Sequence, residues 1–333
     1  MKLSKSDFDF ASGKKSFIQT FSSNKTNLSY NQDVLRRFKK NKVAIASLVV
    51  IIFITVVSFV SIWLNPTNPN HQNVSYAYLP PKIGSGKIPG FTGKVGSSDL
   101  YALSHVPKST YFVMGTDYLG RDLFSRILAG TRLSLLIALI STAVDLLIGV
   151  SYGVISGYLG GKADLIMQRL IEIISSIPSL VVVILMLLVF KPGLISIIIA
   201  IAYSSWFTMA RLTRAATLKI KNQDFILAAK NLGVSKVRIA FKHILPNISS
   251  TIIIQTMFTI PSAIFFEAFL SYIGIGIPAP NASLGTLLSD GQQAFHYLPY
   301  QLFFPALMIC IIMISFNLLG DGLRDALDPE IEE

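Results

Sequence analysis

The sequence predicts an all-α integral membrane protein of six transmembrane helices, with an irregular insertion on the outer side and a long basic loop on the inner side. Three observations predict it. Of the 333 residues, 52% are hydrophobic and only 14% are charged, and the apolar ones gather into uninterrupted runs rather than at the spacing of a soluble core. Several of these runs are long enough to cross a bilayer. The lysines and arginines, 29 against 18 acids, fall between the runs, where they set orientation.

The first run, residues 43–64, carries no charge. At about 1.5 Å rise per residue it reaches roughly 33 Å, against a hydrocarbon core of about 30 Å. Further runs follow at 133–158, 171–190, 194–210, 248–270 and 302–319, the third and fourth separated only by Lys191, Pro192 and Gly193. Each must satisfy its own backbone hydrogen bonds in lipid, so all six are expected to be α-helices. The first run follows a polar stretch and lacks a small-residue cleavage site, so it reads as an anchor and not a signal peptide. Pro178, Pro261 and Pro305 lie within apolar runs and are expected to kink them, for gating or for shape.

Orientation follows from the basic residues. Arg36, Arg37, Lys39, Lys40 and Lys42 precede the first run, and residues 211–247 carry Arg211, Arg214, Lys219, Lys221, Lys230, Lys236, Arg238 and Lys242 against the lone acid Asp224. The positive-inside rule places both in the cytoplasm, and six spans return the carboxyl terminus to that side. Residues 271–300, on the outer side, hold no lysine or arginine. The chain thereby divides into a cytoplasmic tail (1–42), a first span (43–64), an extracytoplasmic insertion with an amphipathic helix (65–132), a five-helix core (133–320) containing the loop 211–247, and a second cytoplasmic tail (321–333).

Residues 1–32, rich in Ser, Asn and Lys, read as mostly disordered. Pro80, Pro81, Gly84, Gly86, Pro89, Gly90, Gly93 and Gly96 punctuate residues 66–112 against any long helix, leaving an irregular piece with room for a small folded cap. Over 117–134, Leu119, Leu123, Phe124, Ile127 and Leu128 make one helical face, and Arg121, Asp122, Ser125 and Arg126 fill the other. That is the pattern of an amphipathic helix along the outer interface, or of a solvated helix on the cap.

Several chemistries are disfavoured. Cys310, the single cysteine, lies in the last apolar run, which leaves no disulfide framework and no thiolate metal site. His71, His105, His243 and His296 are too scattered for a metal site. Gly84-Ser85-Gly86-Lys87 is no phosphate loop, because no glycine stands five residues before Gly86 and Ile88 replaces the needed Ser or Thr. Basic residues between apolar runs do not form the exposed face that nucleic acid requires. Charges within spans are costly and face the bundle interior, so Asp145 and Glu267 are candidates for a translocation path or for structural pairing.

The loop 211–247 reads as two short helices: Asp224 and Phe225 open the first, Gly233 breaks it, Ser235 caps the second and Pro246 ends it. Phe225, Ala228, Ala229 and Leu232 share one stripe. Adjacent alanines beside a phenylalanine suit a helix that docks in a partner's groove; packing on the chain's own bundle is the other reading. These residues also resemble a known pattern. Leu227-Ala228-Ala229, then Gly233, then His243-Ile244-Leu245-Pro246-Asn247 resemble the "EAA" loop of ATP-binding-cassette importer permeases.

The resemblance narrows to the C-type permease subunit of the oligopeptide, dipeptide and nickel importer family. Met114-Gly115-Thr116-Asp117, Leu119-Gly120-Arg121-Asp122 and Ser125-Arg126 are similar to its signature before the second span. Asp164, Arg169 and Ser176-Ile177-Pro178 are similar to its entry into the third. Glu267 to Gly276 with Pro278 and Pro280, then Gly320-Asp321-Gly322-Leu323-Arg324-Asp325 and Leu327-Asp328-Pro329, resemble its outer loop and tail. Two positions depart from the pattern: Leu227 stands where the triplet has glutamate, and Leu284 precedes Gly285 where tryptophan is common.

The resemblance implies a type I ABC importer permease in a bacterial plasma membrane. It implies a peptide cargo, oligopeptide ahead of dipeptide or nickel chelate. Its partners would be a second permease subunit, two ATP-binding subunits that bring ATP and Mg, and an extracytoplasmic binding protein. The chain itself would be no enzyme and hold no cofactor. Asp224, Phe225, Ala228, Ala229, Gly233, His243 and Pro246 would couple it to the ATPases. From another class, an ion-coupled secondary transporter would favour inverted repeats and several buried acids, which the sequence does not display. A membrane-embedded enzyme would need a metal or nucleophile pattern in the spans.

Overall fold

The computed structural model describes residues 30–64, 68–84, 86, 88–191 and 193–327. Most of the stretch expected to be disordered, 1–29, lies outside the described residues, as do Pro66, Ser85, Lys87, Pro192 and the Asp328-Pro329 end of the tail motif. Tyr30, Asn31 and Gln32 correct that expectation: they open an amphipathic helix, Tyr30–Lys40. Asn41 then breaks the chain, its side chain accepting from the Ala44 N–H at 3.1 Å to start the first span, Lys42–Leu64.

Five helices among the described residues are long and apolar enough to cross a membrane: Lys42–Trp63, Leu123–Leu159, Leu194–Ile220, Ser249–Tyr272 and Tyr300–Leu327. A pair, Gly161–Ser175 and Ser179–Phe190, bent by 75°, makes the sixth crossing if counted as one span. The single, kinked third span expected at 171–190 is corrected here to a broken pair. Pro178 does not kink a helix; it stands before Ser179 with extended backbone and breaks the run. The 12 residues beyond it rise only about 18 Å, too short to cross alone. Pro261 and Pro305 do lie inside helices.

The described residues among 68–122 fold into a cap. Lys94–Val95 pairs antiparallel with Ser98–Asp99, and Asp99 caps a single turn, Leu100–Leu103. Buried Tyr101 is its centre: the hydroxyl donates to Pro80 O at 3.0 Å and accepts from Phe112 N at 3.2 Å. Burial pushes the Tyr101 phenol up to about 12. The cap is sewn to the sixth span, because Tyr300 OH donates to Leu79 O at 3.0 Å and Gln301 Nε2 to Thr116 O at 2.9 Å. Gly120 is required where it stands: φ is +70°, and a Cβ would lie 1.8 Å from Asn73 O.

No separate interfacial helix occupies 117–134. Asp122 caps a helix that begins at Leu123 and runs on as the second span. The expected polar face is buried with the apolar one, since Arg121 and Arg126 are both inside. Asp117 makes that possible, taking Arg121 Nε at 2.6 Å and standing 3.4 Å from Arg126 Nε. A buried charge is tolerated only when it is paired in this way.

The second and fourth spans run parallel and in close contact. Gly149, Gly153 and Gly157 line the seam, where added Cβ atoms would fall 2.7 Å from Met209 Cβ, 1.9 Å from Thr213 Oγ1 and 2.8 Å from Thr217 Cβ. Small residues at this spacing let helix backbones touch in a membrane. At the end of the seam Arg214 grips Asp164 with two hydrogen bonds, 2.5 and 2.6 Å, and Lys221 Nζ donates to Gly157 O at 3.0 Å. The fourth span correspondingly continues past its expected end at 210 to Ile220.

The main core joins spans one, two, four, five and six through Ile54, Ile127, Ile137, Ile197, Ile264 and Phe316. A helix at the cap end, Leu284–Gln293, closes it. Leu284 is fully buried there, so the position where tryptophan is common serves here as core.

Candidate functional site: the loop between the fourth and fifth spans

The loop opens with an eight-residue helix, Asp224–Asn231. It ends as the sequence predicts. Gly233 takes φ +74°, its N–H bonds Lys230 O at 3.0 Å, and Val234 N bonds Ala229 O at 3.1 Å, a Schellman closure that fixes where the next segment departs. Ser235 then caps Lys236–Arg238 by accepting from the Arg238 N–H.

The buried stripe is not the one expected. Ile226 (1% exposed) and Ala229 (7%) face the chain's own bundle, in a cluster with Val154, Ile239, Ile244 and Ile248. Ala229 is therefore corrected from a docking residue to an anchor, and Ile226, which the sequence reading missed, is its larger companion. The spacing of Ile226, Ala229, Ile239, Ile244 and Ile248 was the available signal. Phe225, Leu227, Ala228 and Leu232 remain exposed, Leu232 at 83%. Asp224 and Gly233 are exposed with them.

Pro246 does not end the second helix as expected. Lys236–Arg238 widens into a π turn, Ile239–Ile244, and passes into Leu245–Asn247 with the proline inside it. Pro246 has no N–H to give the carbonyl four residues back, and the turn before it is wide, with Leu245 N reaching five residues back to Ala240 O. His243 is half-buried, and its carbonyl accepts from Asn247 Nδ2 at 2.6 Å. A second π turn, Leu146–Val150, interrupts the second span. Between the two π turns lies an apolar cavity of about 320 Å³, walled by Leu147, Val150, Val154, Phe241, Leu245 and Ile252. The loop thus presents an exposed apolar and basic face on a buried apolar mount.

The two candidate path carboxylates are both fully buried within the chain. Glu267 is a structural node: Ser134 Oγ and Ser271 Oγ each donate to it at 2.8 Å, and Leu284 N donates to Ser134 Oγ at 3.3 Å. It ties the second span, the fifth span and the helix at Leu284, the structural pairing that the sequence also allowed. Asp145 sits at the start of the π turn in the second span, and neither of its oxygens has a hydrogen-bond partner among the described residues. The sequence brings Asp145 and Glu267 to no common site.

Comparison with known proteins agrees with this architecture. Residues 149–333 match the family described as binding-protein-dependent transport system inner membrane component, and residues 29–81 match the N-terminal TM domain of oligopeptide transport permease C. The chain is 45% identical to the dipeptide transport system permease protein DppC of Lactococcus lactis subsp. cremoris (strain MG1363), over 96% of each chain. It is 42% identical to the oligopeptide transport system permease protein OppC of Bacillus subtilis (strain 168), over 93% of this chain and 92% of that one. Among solved structures, an inward-facing form of the MetNI methionine ABC transporter matches with a TM-score of 0.52 at 19% identity, covering 62% of this chain and 98% of that one. At that identity the likeness speaks to fold.

Proposed function

Because this chain belongs to the family of binding-protein-dependent transport system inner membrane components, we propose that it is one of two membrane subunits of an ATP-driven importer and forms half of the path for oligopeptides. The observation that carries the mechanism is the mounting of the loop helix, with Phe225, Ala228 and Leu232 outward and Ile226 and Ala229 held in the bundle. An ATP-binding subunit seated on the outward face would move the helix. Ile226 and Ala229 pass that displacement to Val154 of the second span and Ile248 at the foot of the fifth. The glycine seam and the Asp164–Arg214 pair make the second and fourth spans move as one body.

ATP and Mg belong, in this reading, to two separate subunits, and an extracytoplasmic binding protein delivers the peptide. With basic residues flanking the first span and filling the loop, both termini lie in the cytoplasm of a bacterial cell. Docking does not use a glutamate at the first triplet position, which is the half-exposed Leu227. Dipeptide cargo is the second reading, favoured by the 45% identity to a dipeptide permease.

The test is to purify the tagged chain from native membranes and assay ATP hydrolysis with binding protein and peptides of graded length. Recovery of a second six-span subunit and two ATPases, stimulated most by peptides longer than two residues, supports the reading. Best stimulation by dipeptides moves the cargo to the second reading. A lone chain whose uptake persists after ATP depletion, with ion gradients intact, refutes both.

A further inference from the structure

The cap end of the molecule holds a larger cavity, of about 750 Å³, that the coupling mechanism does not use. Its walls include Tyr78, Tyr118, Asp290, Gln293, Tyr297 and Gln301. Among the described residues, none that line it is a lysine, arginine or histidine, in a chain whose formal net charge is +11. The wall thus offers acceptors and aromatic faces, with Arg126 standing behind Asp290. Its size falls in the range of small-ligand sites, roughly 300–1,000 Å³.

Asp290 is the charged group in the wall. Its side chain is 34% exposed, and its nearest counter-charge, Arg126 Nη2, stands off at 3.9 Å. Among the described residues it accepts no hydrogen bond. Arg121 and Arg126 turn instead to Asp117, at 2.6 and 3.4 Å. Asp290 is thus backed by positive charge while its hydrogen-bonding capacity is unused. Burial raises its carboxyl pKa and the two arginines lower it, and the open side of the carboxylate faces the cavity. Tyr78 and Tyr297 are exposed at this cavity, and tyrosine faces attract cations; the Tyr118 ring already holds Arg121 Cζ at 5.3 Å from its centroid. Gln301 is fixed by its bond to Thr116 O at 2.9 Å, so the floor is pre-set by the cap.

We propose that this cavity is a peptide-binding site on the permease itself, which holds the protonated amino group of a short peptide between the Asp290 carboxylate and the Tyr78 and Tyr297 rings. The proposal rests on the peptide-importer reading and deepens it: the chain would inspect the amino end of its cargo independently of any binding protein.

The experiment uses the intact transporter complex in nanodiscs without binding protein, with tri-alanine and N-acetyl-tri-alanine as probes. Tri-alanine should bind at least tenfold tighter than its acetylated form. Asp290→Asn should abolish that difference, since a charge-assisted hydrogen bond is lost. Tyr297→Ala, at a position 85% exposed and so free of folding cost, should reduce the difference several-fold. Equal binding of the two probes to the unmodified complex, or a difference that both substitutions leave intact, overturns the proposal. If Asp290→Asn instead weakens docking of peptide-free binding protein and leaves tri-alanine binding unchanged, the cavity receives a protein's lysine, and the proposal also falls. Uptake of labelled peptide by the unmodified transporter in cells is the separate control: its absence refutes the peptide-importer reading, whereas uptake without amine discrimination in nanodiscs refutes this site alone.

Discussion

Replacing Ile226 with alanine separates the anchor of the loop helix from its docking face. An eight-residue helix is not stable on its own in water, so Asp224–Asn231 is held by what it buries. It buries two side chains, Ile226 and Ala229, and the second is too small to compensate for loss of the first. Truncation of a buried isoleucine to alanine costs about 2–5 kcal/mol, and a value of about 3 kcal/mol suits a position 1% exposed in a small cluster. At about 1.4 kcal/mol per factor of ten, the ratio of seated to unseated helix falls on the order of a hundredfold. Amide hydrogen exchange over residues 224–231 in the purified complex reads this ratio directly, and protection should drop by about that factor. Peptide imported per ATP hydrolysed should fall with it, while chain insertion is unchanged. Leu232→Ala, at a position 83% exposed, should leave protection within a few-fold of the original. Unchanged protection in Ile226→Ala would refute the claim that this side chain mounts the helix.

Three further outcomes are expected. Ala228→Trp, on the exposed face, should leave the chain inserted and the ATPase active but cut peptide uptake at least tenfold; a well-expressed variant with normal uptake counts against the docking face. Gly153→Leu should abolish assembly of the bundle, because even a Cβ would stand 1.9 Å from Thr213 Oγ1 and 2.3 Å from Ala210 O, and limited proteolysis of membranes should show the chain degraded. The cap should loosen at high pH: Tyr101 is raised from 10.0 to about 12, so its contribution is whole below pH 10 and is lost as pH rises toward 12. Proteolysis of the cap across that window should accelerate in the unmodified protein, and in Tyr101→Phe should be faster at neutral pH but lack the slope.

Much of this molecule was legible because lipid simplifies the code. Uncharged runs such as 43–64 have few alternatives to a helix, and Gly233 announced a helix end because few other residues take φ +74°. The misreadings have a common physical source in pairing and packing that periodicity does not report. Arg121 and Arg126 read as a wet helix face, but Asp117 and the distant Asp290 allow both to be buried. The loop helix offered two apolar stripes, Phe225-Ala228-Leu232 and Ile226-Ala229, and periodicity alone does not say which one the bundle covers. Glu267 read equally as a path or a pairing group because Ser134, one of the two serines that donate to it, lies 133 residues upstream.

The stitching of the cap also sets an order of events during biosynthesis. Leu79 and Thr116 leave the ribosome early, yet the side chains that complete their hydrogen bonding, on Tyr300 and Gln301, lie 221 and 185 residues downstream. Until the final helix threads into the bilayer, the cap presents carbonyls that lack these donors. A chain that stops short of its last helix therefore keeps two cap carbonyls without these donors, and completion of that helix supplies them.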